Sequence, residues 1–260
     1  MNILDQLAAH ARERTEEAKR KLPLVELRNR VQALPKKNRA LEQAIGKPGI
    51  SFICECKKAS PSKGLIASDF PFLQIAEEYE AAGADAISVL TESKWFLGSD
   101  EYLREIAKTV SIPCLRKDFT VDPYMIYEAR LLGAAAVLLI CSILDPGELR
   151  EYREICDELG LSALVEAHDE AEVEMALKAG AKIIGVNNRN LKDFTVDTGN
   201  SRRLRAMIPR DVLFVSESGV RDTSDVQAAR EMGANAVLVG EALMRASDRR
   251  AKLAELRGSI

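Results

Sequence analysis

Aromatic side chains are scarce in this 260-residue chain, at 5% with a single tryptophan, while Ala, Leu, Val and Ile are abundant. That balance fits buried parallel strands covered by helices better than a β-sandwich. Histidine is rarer still, with only His10 and His168. The five cysteines are odd in number and lack framework spacing, which argues against a disulfide scaffold and for free thiols in a reducing compartment. Cys54 and Cys56 form a C-x-C, but no second Cys or His pair follows at a metal-ligand spacing, so no metal site is expected. Charge of one sign is also missing. Against 40 acidic residues stand 37 basic ones, a net charge of −3, which argues against a nucleic-acid footprint. The basic run from Lys19 to Arg39 is broken by Glu26 and by apolar residues, and reads as a solvated helical face. No apolar stretch approaches the roughly 20 residues that span a bilayer. Met1 to Arg14 carries both charge signs without a signal-peptide core, so the expectation is a cytoplasmic protein with no membrane partner.

What is present is a repeat. Four segments join a helix end, a Gly-Ala turn and an apolar run, at Gly83-Ala84, Gly133-Ala134, Gly180-Ala181 and Gly233-Ala234. Their spacing of about 50 residues is right for two βα units rather than one. Each glycine supplies the positive-φ residue that ends a helix before a strand. Between them lie four more apolar runs, Ser51–Glu55, Ile112–Leu115, Ser162–Val165 and Val212–Val215. Helical patterns follow, as in Pro71–Ala82, Pro123–Leu132, Asp145–Leu159 and Thr223–Met232. Alternating the two sets predicts an α/β fold, a (β/α)8 TIM barrel from about residue 50 onward. A doubly wound open sheet is the alternative, but it calls for a glycine-rich fingerprint after the first strand, where Cys56-Lys57-Lys58-Ala59-Ser60 stands. Residues 1–48 are extra to the barrel and predict two amphipathic helices, one on Leu4, Leu7, Ala8 and Ala11 and one on Leu24, Leu27 and Val31. The whole of 1–260 is expected to form one domain. The segment Lys57–Phe70 reads as a long unstructured loop of the kind that serves active sites.

Barrel active sites lie at the C-terminal ends of the strands. There the sequence places Glu55 and Lys57, then Arg116-Lys117-Asp118, Glu166, Asn187-Asn188-Arg189 and Ser216-Glu217-Ser218-Gly219. Side chains alternate along a strand, so Glu55 and Lys57 share one face and Cys54 and Cys56 the other. Leu115 with Lys117, Leu164 with Glu166 and Val215 with Glu217 keep the same phase. Each charge alone could be a surface loop residue, but five strands ending this way point to clustered acids and bases suited to proton transfer. Lys57 would ease the loss of the Lys117 proton and the carboxylates would retain it; the residues alone leave that balance open. Ser218-Gly219 and Gly240-Glu241-Ala242 offer backbone N–H groups for an anion at the usual phosphate position of such barrels. The partner predicted is therefore a small phosphorylated substrate.

With those residues placed, the chain resembles the indole-3-glycerol phosphate synthase family. The resemblance rests on Glu55-Cys56-Lys57-Lys58-Ala59-Ser60-Pro61-Ser62-Lys63-Gly64, Leu90-Thr91-Glu92 with Phe96, and Leu115-Arg116-Lys117-Asp118-Phe119. It continues through Leu164-Val165-Glu166, Gly185-Val186-Asn187-Asn188-Arg189-Asn190-Leu191, Ser216-Glu217-Ser218-Gly219, and Gly240-Glu241-Ala242-Leu243-Met244. It implies a decarboxylating lyase of tryptophan biosynthesis that needs no metal or organic cofactor. By position it implies Lys117 as general acid, Glu166 acting opposite it, Glu55 assisting dehydration or positioning the lysines, and Lys57 pairing with an anionic group. It implies Phe96 and Phe119 on the anthranilate ring and Asn187 and Arg189 on the sugar and carboxylate side. Ser60, Glu217, Ser218, Gly219, Leu238, Gly240 and Glu241 fall in its substrate and phosphate segments. An inward Glu241 carboxylate would repel phosphate, so only its N–H is expected to serve. A phosphosugar isomerase on the same barrel and a non-catalytic phosphate-binding subunit remain as alternatives, and a monomer or weak homo-oligomer is expected.

Overall fold

The computed structural model describes residues 2–36, 38–190 and 195–258; Leu191 of the sixth strand's motif lies outside them. Eight parallel strands close into a barrel in sequence order. They are β1 (Ser51–Cys56), β2 (Ala86–Leu90), β3 (Cys114–Lys117), β4 (Ala136–Ile140), β5 (Ser162–Ala167), β6 (Ile183–Asn187), β7 (Leu213–Glu217) and β8 (Ala236–Val239). The last pairs with the first, Ser51 opposite Ala236 and Cys54 opposite Val239, so no edge is left to pair with another chain. The four repeat glycines take positive φ, at 88°, 96°, 78° and 79°, each ending a helix just before a strand. Helix starts are fixed by side-chain caps from Ser99, Asp122, Asp145, Asp169, Asp222 and Asp248.

Alternation along the strands divides the core in two. Phe52, Cys54, Cys56, Val89, Val137, Val165, Val186 and Phe214 pack outward against the helices. Ile53, Leu115, Leu138, Leu164, Ile183, Val215 and Ala236 fill the interior. One inward step further along the strands, apolar filling gives way to Glu55, Lys117, Glu166 and Glu217, with Asn187 on β6 paired opposite Glu217. The barrel floor is thus an apolar plug, and the charged layer rests on it at the mouth.

Among its described residues the extension holds three helices rather than the expected two: α1 (Ile3–Lys21), α2 (Leu24–Gln32) and α3 (Ala40–Ile45). Leu7, Ala8 and Ala11 of α1 pack with Phe119 and the interior residues, and Arg14 reaches Asp118 just past β3. That sets α1 across the mouth. Leu27 and Val31 of α2 pack on Tyr124 of the helix Pro123–Leu131. Helix α3 covers the opposite end, where the Ser162 hydroxyl meets the Glu42 N–H and Ser51 lies beside Ala44. Two further expectations are corrected. Lys57–Phe70 is not without structure, because Ala59–Ser60 and Gly64–Leu65 form a short antiparallel ribbon. β3 begins at Cys114 rather than Ile112, since Pro113 has no N–H to give the ladder, although its carbonyl accepts from Ile87.

Candidate active site

A cavity of about 830 Å3 opens at the C-terminal ends of the strands beneath α1. Its wall includes the residues given catalytic, substrate or phosphate roles above, from Glu55 on β1 and Lys57 just past it to Gly240 and Glu241 after β8, but not Arg116, Asn188 or Ser216. At its centre the Lys117 Nζ stands 2.9 Å from Glu166 Oε2 and 3.2 Å from Glu217 Oε2. Lys57 Nζ lies 2.6 Å from Glu55 Oε1, and the Ser88 hydroxyl donates to the other Glu55 oxygen at 3.4 Å. Asn187 Nδ2 donates to Glu166 Oε1 at 3.2 Å. The Asn187 amide oxygen is itself fixed by the Ser218 hydroxyl at 2.8 Å and the Arg189 N–H at 3.0 Å.

Burial and charge pull these groups in different directions. Burial alone would lower the Lys117 pKa, but Glu166, Glu217 and Glu55 together outweigh it and hold the ammonium charged well above its ordinary range. The balance left open by sequence therefore falls to the carboxylates. Burial would raise Glu166; Lys117 and then His168 reverse that and depress it. For Glu217, burial and the nearby Glu166 charge prevail over Lys117 and push it up to about 7. Two carboxylates touching one lysine thus differ in proton affinity, as separate acid and base roles require.

Two glycines make room for this layer. A Cβ at Gly185 would collide with Glu217 Oε1, and one at Gly240 would come within 2.6 Å of Glu55 Oε1 and 2.9 Å of Lys57 Nζ. Phe96 and Phe119 form an apolar wall with ring centroids 6.1 Å apart. Phe96 is presented by a loop that Glu92 organises, accepting from the N–H groups of Lys94, Trp95 and Phe96 at 2.8–3.0 Å and facing His10 Nδ1 at 2.9 Å. At the far end, Ser218 and Gly219 adopt φ of 65° and 92°, and the cavity wall gains Lys63, Arg245 and Lys252. The Glu241 carboxylate lies 3.1 Å from Arg245 Nε and 3.7 Å from Lys63 Nζ, cations that offset its charge near an anion pocket.

Some residues at the rim do other work. Arg116 points away from the cavity and is buried between Asp100 and Glu128, each at 2.8 Å. Cys54 and Cys56 lie among the outward-packed residues, as their phase requires, and burial raises both thiols well above their ordinary range. Sequence reasoning missed Ser88, the α1 residues Ile3, Leu4 and Leu7 on the wall, and His168, whose Nε2 lies 3.4 Å from Glu166 Oε1. Its signal was available: His168 follows Glu166 by two positions.

A parallel eight-stranded barrel with an ammonium set between carboxylates above a cationic pocket defines an enzyme of acid–base chemistry on a small anionic substrate. The family model for indole-3-glycerol phosphate synthase matches residues 4–256. An indole-3-glycerol phosphate synthase of Ruminiclostridium cellulolyticum is 57% identical over 258 residues, covering 99% of each chain. Another, of Endomicrobium trichonymphae, is 52% identical and covers 98% of this chain and 99% of its own length. The chain belongs to the indole-3-glycerol phosphate synthase family, which are carbon–carbon lyases of the carboxy-lyase class. Solved structures share the fold at lower identity. A 3-hexulose-6-phosphate synthase matches with TM-score 0.64 at 16% identity, covering 81% of this chain and 100% of that one. Thiamine phosphate pyrophosphorylase from Pyrococcus furiosus matches with TM-score 0.61 at 18% identity, covering 84% and 96%.

Proposed function

We propose that the cavity carries out the ring closure of 1-(2-carboxyphenylamino)-1-deoxyribulose 5-phosphate to indole-3-glycerol phosphate, with Lys117 and Glu166 as the proton-transfer pair. The reaction must protonate a ketone oxygen, release carbon dioxide from the anthranilate carboxylate, and expel a hydroxyl as water. Lys117, held as an ammonium, gives its proton to the carbonyl oxygen as the ring carbon bearing the carboxylate bonds to the carbonyl carbon. Loss of carbon dioxide returns the bonding pair to the ring. Glu166 then takes the proton from the carbon next to nitrogen, and the hydroxyl, given a second proton by the Lys57–Glu55 pair, leaves as water. Lys57 pairs with an anionic group of the substrate, and Glu55, which holds Lys57, assists the dehydration. The aromatic ring lies against Phe96 and Phe119, where apolar contact strands no polar group. Asn187 and Arg189 organise the sugar and carboxylate side, with Glu217 and Leu238 completing the substrate wall. Ser60, Ser218, Gly219, Gly240 and the Glu241 N–H receive the phosphate.

The observation that carries this reading is the contact of one buried ammonium with two carboxylates of unequal proton affinity at the mouth. Supplying the carboxyphenylamino substrate and following indole fluorescence tests it. Lys117→Ala and Glu166→Gln stay folded and lose most turnover, since a positioned proton transfer contributes about 10²–10⁴-fold. Full turnover in either variant contradicts its role.

An isomerase reading gains no support, because Cys56 faces the helices rather than the cavity. We take residues 1–260 as one domain, as α1 contributes wall to the cavity. Among the described residues no helix is long and apolar enough to cross a membrane. The five buried free thiols fit a cytosolic setting. Among the described residues the exposed large apolar side chains, Val25, Leu65, Leu97 and Val196, sit on four separate segments, which fits a monomer or a weak homo-oligomer.

A further inference from the structure

Lys117 touches Glu166 and Glu217 at almost equal distances, so the lysine alone does not assign the two carboxylates different jobs. What differs is the side of each carboxylate turned away from it. Glu217 Oε1 is buried and has no hydrogen-bond partner among the described residues, closed in by the backbone of Gly185. Glu166 Oε1 instead accepts from Asn187 and faces His168 Nε2 at 3.4 Å. His168 is not there by chance of a loose loop. Its own N–H donates to Glu172 Oε2 at 2.7 Å, its Nδ1 lies 3.1 Å from the same oxygen, and the Ser142 hydroxyl donates to Glu172 Oε1 at 2.5 Å. The ring is thereby clamped with Nδ1 toward Glu172 and Nε2 toward Glu166. Nε2 is buried and has no hydrogen-bond partner among the described residues, and Glu166 is the carboxylate it faces.

We propose that His168 is a positioning residue that, as an imidazolium clamped by Glu172, makes Glu166 the ionised member of the Lys117 carboxylate pair and leaves the proton on Glu217. The inference rests on the reading of Glu166 as the proton acceptor and adds what keeps it ready to accept. Burial opposes charge on His168, but the Glu172 hydrogen bond and the Glu166 and Glu172 charges overcome it, with Glu217 contributing more weakly, so its pKa is raised. Glu166 comes from the strand that His168 follows, Glu172 from the helix Glu170–Lys178, and Asp169 caps that helix. The adjoining cavity that His168 lines also carries Asp5 of α1, Arg189 after β6, and Asp197 and Arg203. Acids outnumber bases around the ring, so the surroundings as a whole favour its protonated form.

The test is the pH profile of kcat/KM for the full-length enzyme. An opposite charge this close shifts a carboxylate by at least about one pH unit. His168→Gln therefore moves the acid limb upward by about that much and lowers kcat near neutrality, with KM little changed. Glu172→Gln, which keeps the imidazole but weakens its clamp, moves the limb the same way by less. His168→Lys, which restores a cation, brings the limb back toward the wild-type position. In a Glu217→Gln background, with no second carboxylate to share the proton, His168→Gln moves the limb by less than it does alone. An unmoved limb in folded His168→Gln and Glu172→Gln, even with a lower kcat, overturns the inference and leaves His168 a purely structural role. An equal shift in both backgrounds overturns the sharing of the proton. Should Glu166→Gln keep full turnover, the failure is of the acceptor assignment instead.

Discussion

Glu217 is the side chain at which function and stability are most directly opposed. Its folded-state pKa is pushed from an ordinary carboxylate value up to about 7 by burial and by Glu166. A carboxyl group raised on folding contributes stability that is complete below its unfolded value and is lost as pH rises through the folded one. The window is therefore roughly pH 4.5 to 7 for this residue. Glu166 has the opposite sign: its depressed pKa contributes stability above the unfolded value that is lost as pH falls. Glu217→Gln removes the first slope. In denaturant titrations it stabilises the protein more at pH 8 than at pH 5, by about 1–3 kcal/mol, while turnover falls. An equal effect at both pH values contradicts the raised pKa. Residue positions were the most legible part of the site, because a period of two carries Glu55, Lys117, Glu166 and Glu217 inward from apolar residues two places earlier. Proton states were not legible. They depend on which charges meet across strands, and no spacing along one strand reports that.

At the scale of elements, α1 is tied to the mouth by a partly buried pair, Arg14 being half-buried and Asp118 buried. Arg14 Nη2 lies 2.6 Å from Asp118 Oδ1, with Nη1 3.2 Å from the other oxygen, and Asp118 is fully enclosed. Removing one partner of a buried pair usually costs about 3–5 kcal/mol. Here Arg116 at 3.8 Å and the Thr91 hydroxyl remain on Asp118, so Arg14→Ala is expected to cost about 2 kcal/mol, read as a lowered denaturant midpoint. Because Leu4 and Leu7 line the cavity, the same variant raises KM more than it lowers kcat. A midpoint within experimental scatter of wild type contradicts the strap. The strands and their helices were readable from the Gly-Ala turns and side-chain caps. Helix α3 was not: it has only 6 residues, and its N-cap Arg39 is left-handed with no side-chain cap bond. Its footing comes from packing, with Leu41, Ala44 and Ile45 set in the barrel's interior cluster. The ribbon after β1 escaped notice for a similar reason, since two-residue strands carry no alternation to detect.

For the whole molecule, a net charge of −3 gives little long-range pull on an anionic substrate. The attraction is local, built from Lys57, Lys63, Lys117, Arg189, Arg245 and Lys252 around one cavity whose floor is the apolar interior of the barrel. That floor keeps the carboxylates beside Lys117 out of bulk water, where their hold on its proton is strongest. The barrel thus acts on the chemistry by fixing the charge of one lysine. Nuclear magnetic resonance titration of carbon-13-labelled lysine, with Lys117 assigned through Lys117→Arg, reads that charge directly. The Lys117 side-chain resonance should stay in its ammonium position through the whole range in which ordinary lysines titrate, near pH 10.4. A midpoint below that value would mean that burial prevails over the three carboxylates, and that Lys117 is not the group that delivers the proton.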